Sequence, residues 1–326
     1  MKNYNTPIEK IFFRSSKIGL LVGGIVSHGL TEREREEMDR LELIKKTPIG
    51  LTEKQATDLK TWNEKLENGL KLTPGQMEKR DDYKERLTKL KTLTPVQTER
   101  LEKLIEKNSR PPELSDGAKT YVKEVWLENE KGFREEITSK YLEKGLQGEE
   151  DALNLISDVD NRLYVKNSKR VFKDNLSGEC DVKHHNKELD VDIIDDIKCC
   201  WNARTFMQSK LTTLYEWQGR AYLYLYDAEI FRLRFCLVDT PPDVYQEELF
   251  KFTRFNGIID ETLPEYEKMI KQFEANHFYE KSGKYSQQER VKTFMFERDY
   301  ELEAKMLLAI KLGVEYYKTI TLNMKE

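Results

Sequence analysis

Apolar side chains are sparse and narrowly spaced over residues 30–110 and denser on either side. Leu-Thr recurs at Leu30-Thr31, Leu51-Thr52, Leu72-Thr73 and Leu93-Thr94, a constant step of 21 residues. Three positions after each threonine stands Glu34, Gln55, Gln76 or Gln97. That spacing is the reciprocal capping box, in which the hydroxyl accepts from an orphan N–H and the longer side chain reaches back to the cap. Pro74 and Pro95 add first-turn prolines. Between the caps the apolar positions are Met38, Leu41 and Ile44, then Leu59, Trp62 and Leu66, then Tyr83 and Leu87, then Leu101 and Leu104. So narrow a stripe predicts four helices of about 14 to 17 residues, roughly 20 to 25 Å long, packed edge to edge in an antiparallel bundle. Gly50 and Gly69 are the expected stops. The segment holds no cysteine, and its lysines and arginines read either as a docking surface for a partner or DNA or as a solvated face, the second being favoured by near-equal acidic content.

Past Pro111-Pro112 the pattern thickens. Ser115 is expected to cap a helix carrying Tyr121, Val122, Val125 and Trp126, and a second helix is expected from Glu136 through Lys144-Gly145 toward Ile156. Strand signals follow: a hairpin over Arg162 to Phe172 centred on Asn167-Ser168, then Ser177 to Lys183 paired with Leu189 to Cys200 across a His184-His185-Asn186-Lys187 turn. A long helix over Thr205 to Tyr226 and a strand over Ile230 to Val238, closed by Pro241-Pro242, come next. Helices near Glu265 to Asn276 and Tyr300 to Tyr317 flank a short strand over Val291 to Phe296. The order predicts an α/β (α+β) body with a small mixed sheet covered by helices. The expected division is an N-terminal arm of the body at 1–29, an all-α four-helix repeat insert at 30–110 and the rest of the body at 111–326.

Composition narrows the function classes. Thirty-eight per cent apolar side chains in 326 residues suffice for a core and exclude disorder of the whole chain. Fifty-five basic against fifty-nine acidic residues, net −4, exclude a protein held on nucleic acid by bulk charge, though not a local basic groove. Cys180, Cys199, Cys200 and Cys236 are too few for a disulfide scaffold and lack paired C-x-x-C spacing, so a reducing cytoplasm is expected. The longest apolar stretch, Ile18 to Val26, is broken by Gly23 and Gly24 and falls short of the about 20 residues of a membrane span. Lys2, Lys10, Arg14 and Lys17 precede it as in a signal peptide, but Phe12-Phe13 and Ser27-His28-Gly29 argue against one.

The chemistry concentrates in Leu189 to Cys200, where acidic and apolar residues interleave. Strand alternation puts Ile194, Asp196, Lys198 and Cys200 on one face and Ile193, Asp195, Ile197 and Cys199 on the other. The predicted hairpin brings Asp181 across from the Asp192-to-Asp196 region. Two carboxylates converging in a half-buried sheet repel unless a cation relieves them, and hard divalent ions prefer oxygen; magnesium is the simplest answer. The other reading is an exposed acidic edge, with Asp190, Asp192 and Asp195 included and Lys198 neutralising one member. Gly145-x-x-x-Glu149 on the preceding helix and Gln218-x-x-x-Tyr222 on the following one favour a site. His184 and His185 are expected to decorate a turn, and neither His28 nor His277 has a supporting constellation.

In these residues the sequence resembles the phage-type and RecB-like exonucleases of the PD-(D/E)XK nuclease superfamily, relatives of lambda exonuclease. The carrying pieces are Lys144-Gly145 with Glu149 and Ala152, Gly178 to Asp181, Ile193 to Lys198 followed by Thr205-Phe206, Tyr215 with Gln218 and Tyr222, and Leu237 to Pro241. Arg14-Ser15-Ser16 with Ile18-Gly19 resembles the N-terminal segment of such enzymes. The resemblance covers roughly residues 10 to 29 and 113 to 322 and leaves the repeats outside. Two departures are Cys180 in place of the motif proline and the adjacency of Asp195 and Asp196, of which the one two residues before Lys198 is chosen.

The resemblance implies a restriction-endonuclease-like core in which Asp181 and Asp196, with the Ile197 carbonyl, hold one or two Mg²⁺ ions, Mn²⁺ being able to substitute. Glu149 would complete the shell directly or through water, and Lys198 would orient or deprotonate the attacking water. Gln218 and Tyr222 would bind backbone or terminal nucleotides, with plain helix packing an equal alternative for Tyr222; Arg14 and Ser16 would lie near the DNA end. The implied activity is a Mg²⁺-dependent DNA exonuclease that resects duplex ends for a single-strand annealing recombinase in a bacterial cytoplasm. Net charge −4 raises the hypothesis of a homo-oligomer enclosing the duplex. Rival readings are a structure- or site-specific endonuclease on the same core and a non-catalytic DNA-binding scaffold working through the insert. The cysteines lack the set of four that an iron–sulfur cluster requires.

Overall fold

A computed structural model of the chain describes residues 10–26, 30–134, 139–257 and 264–324. Lys2, the Ser27-to-Gly29 stretch with His28, and the helix start expected at Glu136 lie outside the described residues. In chain order the elements are β1 (Phe13–Arg14), α1 (Ile18–Val22), β2 (Ile25–Val26), α2 (Glu32–Lys46), α3 (Glu53–Glu67), α4 (Pro74–Thr88) and α5 (Pro95–Ser109). There follow β3 (Glu113–Leu114), α6 (Asp116–Trp126), α7 (Lys140–Gln147), α8 (Glu149–Val159), β4 (Val171–Lys173), β5 (Leu176–Gly178), β6 (Val182–Asn186) and β7 (Val191–Cys199). The last are α9 (Ala203–Gln208), α10 (Thr213–Tyr226), β8 (Ile230–Cys236), α11 (Pro242–Phe255), α12 (Pro264–Glu274), β9 (Val291–Glu297) and α13 (Tyr300–Asn323). They fall into two compact units, Met1–Ile25 with Leu114–Glu326, and Val26–Glu113.

In the smaller unit all four threonines cap 15-residue helices, and each capping box is closed in both directions. The helices do not form the expected edge-to-edge bundle. α2 packs on α5 around Leu30, Leu41, Leu101 and Leu104, while α3 packs on α4, where Trp62 and Tyr83 stack at 5.6 Å. A stripe this narrow serves one neighbour, so the repeats pair as two nested hairpin layers bridged at Pro48 and Leu90. Arg100–Glu37 and Lys107–Glu34 ion pairs fasten α5 to α2. Gly69 (φ +76°) follows the end of α3 as expected, whereas α2 already ends at Thr47, ahead of Pro48, and Gly50 (φ +73°) lies in the linker.

The larger unit is built on a four-stranded mixed sheet in the order β6-β7-β8-β9, with β6 antiparallel to β7, β7 parallel to β8 and β8 antiparallel to β9. One face presents Ile194, Phe231, Leu233 and Phe235 to the main core, which α1, α6, α10 and α13 complete with Ile18, Leu21, Val122, Ala221, Met306 and Ile310. The other carries Ile197, Val182 and Cys236 against Ala152, Leu155 and Ile156 of α8. A smaller sheet, β1-β5-β4, lies beside them. Ser115 caps α6 as expected, and its N–H donates to the Gly24 carbonyl at 2.7 Å, so the chain leaves and re-enters this unit at one place. Among the described residues no helix is long and apolar enough to cross a membrane.

Several boundaries differ from expectation, each for a local reason. The hairpin turn is Asp174-Asn175, both left-handed (φ 46° and 63°), the geometry a two-residue hairpin needs; Asn167 instead donates to the Cys180 carbonyl. The strand expected over Ser177 to Lys183 divides between β5 and β6 in different sheets. His184 and His185 lie on β6, and the turn is 187–190. The second helix breaks at Gly148, where a Cβ would stand 2.9 Å from the Lys144 carbonyl. Thr205 to Tyr226 is two helices, because Thr212 caps α10. The Pro241-Pro242 pair closes the strand as expected and also opens α11, a helix not among those expected, with Pro242 as its first-turn proline.

Candidate active site

β7 carries the site because its two faces meet different surroundings. Val182 on β6 pairs with Asp195, so Asp181, one residue earlier, comes level with Asp196. The Ile197 N–H donates to Asp181 Oδ2 at 2.5 Å. Asp196 is 2% exposed. Its Oδ1 accepts from Gln218 Nε2 at 3.1 Å, and the same amide reaches the Tyr222 hydroxyl at 3.1 Å, one turn along α10. Its Oδ2 lies 2.6 Å from Lys198 Nζ in an ion pair. Asp181, Asp196, Lys198, Gln218 and Tyr222 are therefore brought together.

The electrostatics are those of an under-neutralised pair. Burial, then the Asp196 charge, push the Asp181 carboxyl up to about 7 against the opposing pull of Lys198 and the Ile197 N–H; Glu149 adds to the rise. For Lys198, burial acts to lower the ammonium, but Asp196 and Asp181 outweigh it and hold it above its ordinary value. Glu149 opens α8 at the Gly148 break and lines a cavity of about 400 Å³ with Asp181 and Ile197. Its Oε2 is taken by Lys166 at 2.5 Å.

Among the described residues no three His, Cys, Asp or Glu side chains gather as a metal cluster. The pair Asp181 and Asp196 remains, the first half-buried and the second buried, with the single ammonium of Lys198 at Asp196 Oδ2. Two carboxylates of this kind suit Mg²⁺, which commonly takes one or two protein carboxylates and keeps several waters. A ligand from Glu149 requires Lys166 to let go. Asp195 faces the other way: Arg232 grips it through two hydrogen bonds of 2.7 and 2.9 Å, and Arg234 binds Asp160 just beyond. The Arg-x-Arg alternation on β8 was the sequence signal for that network.

Arg14 and Ser16 line a separate cavity of about 500 Å³ with Arg134, Arg170, Ser177 and Tyr222. Arg14 is ion-paired to Glu128. Ser15 donates to the Ser177 carbonyl at 2.9 Å, and a Cβ on Gly178 would collide with Ser15 Oγ, so glycine is required there. Spacing does not single out Lys166, Arg134 or Arg170; the available signal was the run of cations at Lys166, Lys169 and Arg170. Lys144, named above beside Gly145, is buried, donates to the Trp201 carbonyl (2.9 Å) and Thr240 Oγ1 (3.0 Å), and is lowered to about 8 by burial. His277 contacts the same Thr240 at 3.0 Å and burial lowers it to about 4, which makes it a packing residue. The four cysteines are free thiols, all raised by burial.

The fold and site thus define a mixed α/β body with a carboxylate pair and a lysine at the C-terminal end of the inner strand β7. No protein-family model matches the sequence, and no curated protein matches it. Among solved structures the chain is similar to a phage-related exonuclease from Haemophilus somnus 129PT, at 22% identity and a TM-score of 0.49 over 65% of this chain and 85% of that one. It is also similar to an alkaline exonuclease from Laribacter hongkongensis (11% identity, TM-score 0.41, 65% of this chain and 84% of that one). The same enzyme in complex with dAMP gives 12% identity and a TM-score of 0.42, over 65% and 85% of the two chains.

Proposed function

We propose that this chain is a Mg²⁺-dependent deoxyribonuclease of the PD-(D/E)XK type that hydrolyses phosphodiester bonds at duplex DNA ends. The observation that carries it is the pair formed by Asp181, just before β6, and Asp196 on the adjacent β7, level with each other, half-buried and buried, and answered by a single ammonium at 2.6 Å. A sheet that spends stability on two facing acids without enough positive charge is arranged for a cation from outside. Mg²⁺ held by Asp181, Asp196 and the Ile197 carbonyl, with Glu149 through water, would supply charge stabilisation at the scissile phosphate and a more acidic water; Mn²⁺ would substitute. Lys198 orients the attacking water and steadies charge on the phosphate. Gln218 fixes Asp196 and the Tyr222 hydroxyl in one hydrogen-bonded line, so Tyr222 joins the site to the arginine-lined cavity. There Arg14 and Ser16 would receive the phosphate of a DNA end, which favours exonuclease over endonuclease action.

Linear duplex DNA with Mg²⁺ should be degraded, closed circular duplex spared, and Asp196→Ala and Lys198→Ala should each lose at least 100-fold in rate, about 3 kcal/mol of transition-state stabilisation. Persistent degradation by both variants refutes the site, and cleavage of the circle moves the reading to an endonuclease. Cytoplasmic placement, a homo-oligomer around the duplex and a single-strand annealing recombinase as partner belong to the same proposal; sedimentation showing a processive monomer would remove the oligomer.

A further inference from the structure

The ion pair between Glu149 and Lys166 has no part in the chemistry of the site, yet it neutralises a carboxylate that a metal shell would use. Lys166 Nζ lies 2.5 Å from Glu149 Oε2, and both side chains line the cavity of about 400 Å³ with Asp181 and Ile197. The chain on either side of Lys166 is fixed. Tyr164 is buried, its hydroxyl donating to Asp160 at 2.7 Å and accepting from Arg232 at 3.0 Å. The Asn167 N–H donates to the Asp181 carbonyl at 2.7 Å, and its side-chain amide donates to the Cys180 carbonyl at 3.0 Å and to the Tyr226 hydroxyl at 3.1 Å. Between these anchors the Lys166 side chain is 53% exposed and can swing. A cation on a flexible stem is thus tethered to the backbone of Asp181 itself.

An internal ammonium and an incoming divalent ion compete for the same carboxylate. Because this pair is open to solvent, exchanging its cation costs little. Lys198 is placed differently, since Asp196 and Asp181 both act on it and Asp196 holds it at 2.6 Å. What would draw Lys166 off Glu149 is a polyanion. Lys166, Lys169 and Arg170 fall on the one stretch between α8 and β4, and Arg170 lines the cavity of Arg14 and Ser16. A phosphate backbone entering there offers the Lys166 ammonium a second acceptor and leaves Glu149 without a counter-ion.

Resting on the nuclease reading, we propose that Lys166 is a tethered competitor that withholds Glu149 from the divalent ion until a DNA phosphate takes its ammonium, so that metal and DNA reinforce each other's binding. Lys166 is then a positioning residue acting through Glu149. The test titrates Mn²⁺ into the metal-free protein and reads the free ion by electron paramagnetic resonance. Without DNA, Lys166→Met should bind Mn²⁺ about five-fold tighter than wild type and Lys166→Arg should match wild type, and adding Glu149→Gln should abolish the gain. With a short duplex, in a Lys198→Ala background so that nothing is cut, adding Lys166→Met should change Mn²⁺ affinity no further. Lys166 is exposed, so its substitution leaves folding intact. Equal affinities of wild type and Lys166→Met without DNA, or a gain that survives Glu149→Gln, overturn the competition; a difference that persists on DNA overturns the release. Mg²⁺-dependent cutting with equal affinities would sink this proposal alone, whereas no Mn²⁺ bound by any of these proteins would sink the nuclease reading and this proposal with it.

Discussion

Removing one acid from the candidate site should stabilise the metal-free protein, and the size of the effect follows from Asp181. Its carboxyl is raised from 3.8 to about 7, first by burial and then by Asp196. The folded state therefore keeps this proton at pH values where the unfolded chain has already released it. Below about pH 4 the group costs nothing. As pH rises from there toward 7 the folded protein loses stability, and above 7 the loss is complete. At about 1.36 kcal/mol per pH unit the interval corresponds to ~4 kcal/mol, and solvent at the half-buried carboxyl reduces it to roughly 2 to 4 kcal/mol. For a body of this size that is roughly 5 to 10 °C in Tm. In EDTA, wild type should melt lower at pH 8 than at pH 5 by about two-thirds of that, since only about two of the three pH units lie above pH 5, and Asp181→Asn should flatten the slope and melt higher than wild type at pH 8. Millimolar Mg²⁺ should restore the wild type at pH 8 and do little for the variant, since a ligand specific for the folded state stabilises only where it binds. Differential scanning calorimetry at the two pH values decides it. Equal slopes in wild type and Asp181→Asn, or equal Mg²⁺ shifts, would refute the electrostatic account of the site.

Two further outcomes separate scaffold from site. Arg232→Met should leave Asp195 buried without its bidentate partner and cost about 3 to 5 kcal/mol, seen as a lower denaturation midpoint at any Mg²⁺ concentration; a change under 1 kcal/mol would mean Arg234 alone suffices. Thr73→Ala should remove the α4 cap at a cost of about 1 kcal/mol, lowering helix content by circular dichroism with nuclease rate unchanged; a lost rate would tie the repeat unit to the chemistry.

What was legible in the sequence was what short-range physics fixes. The four Thr-x-x-Glu/Gln caps, Ser115 at α6, and the β7 alternation that puts Asp196 and Lys198 on one face depend on neighbours within a few positions. Positions set by tertiary contact were not. Gly148 packs against Val238 and Cys199, and burial of Lys144 depends on Trp201 and Thr240, all distant in sequence. The histidines looked like turn residues because His-His-Asn-Lys is polar, yet His184 sits near Asp195 on a strand whose partner face is charged. The pairing of the repeat helices was open for the same reason: a narrow stripe tells that a helix has one neighbour without telling which.

The adjacency of Asp195 and Asp196 shows how one strand serves stability and chemistry at once. Both carboxylates are buried, but alternation sends them to opposite faces. Asp195 meets two arginines that cannot lose their charge, and its pKa is held below the ordinary value despite burial. Asp196 meets one lysine shared with Asp181, so three charges share a place where a neutral balance would need four. Exchanging the two environments would fill the site with permanent cations and leave no charge for an incoming ion to neutralise. The strand can bear the under-neutralised face because the opposite one is fully paired, and the arginines of β8 are therefore part of what keeps the carboxylate pair level and available.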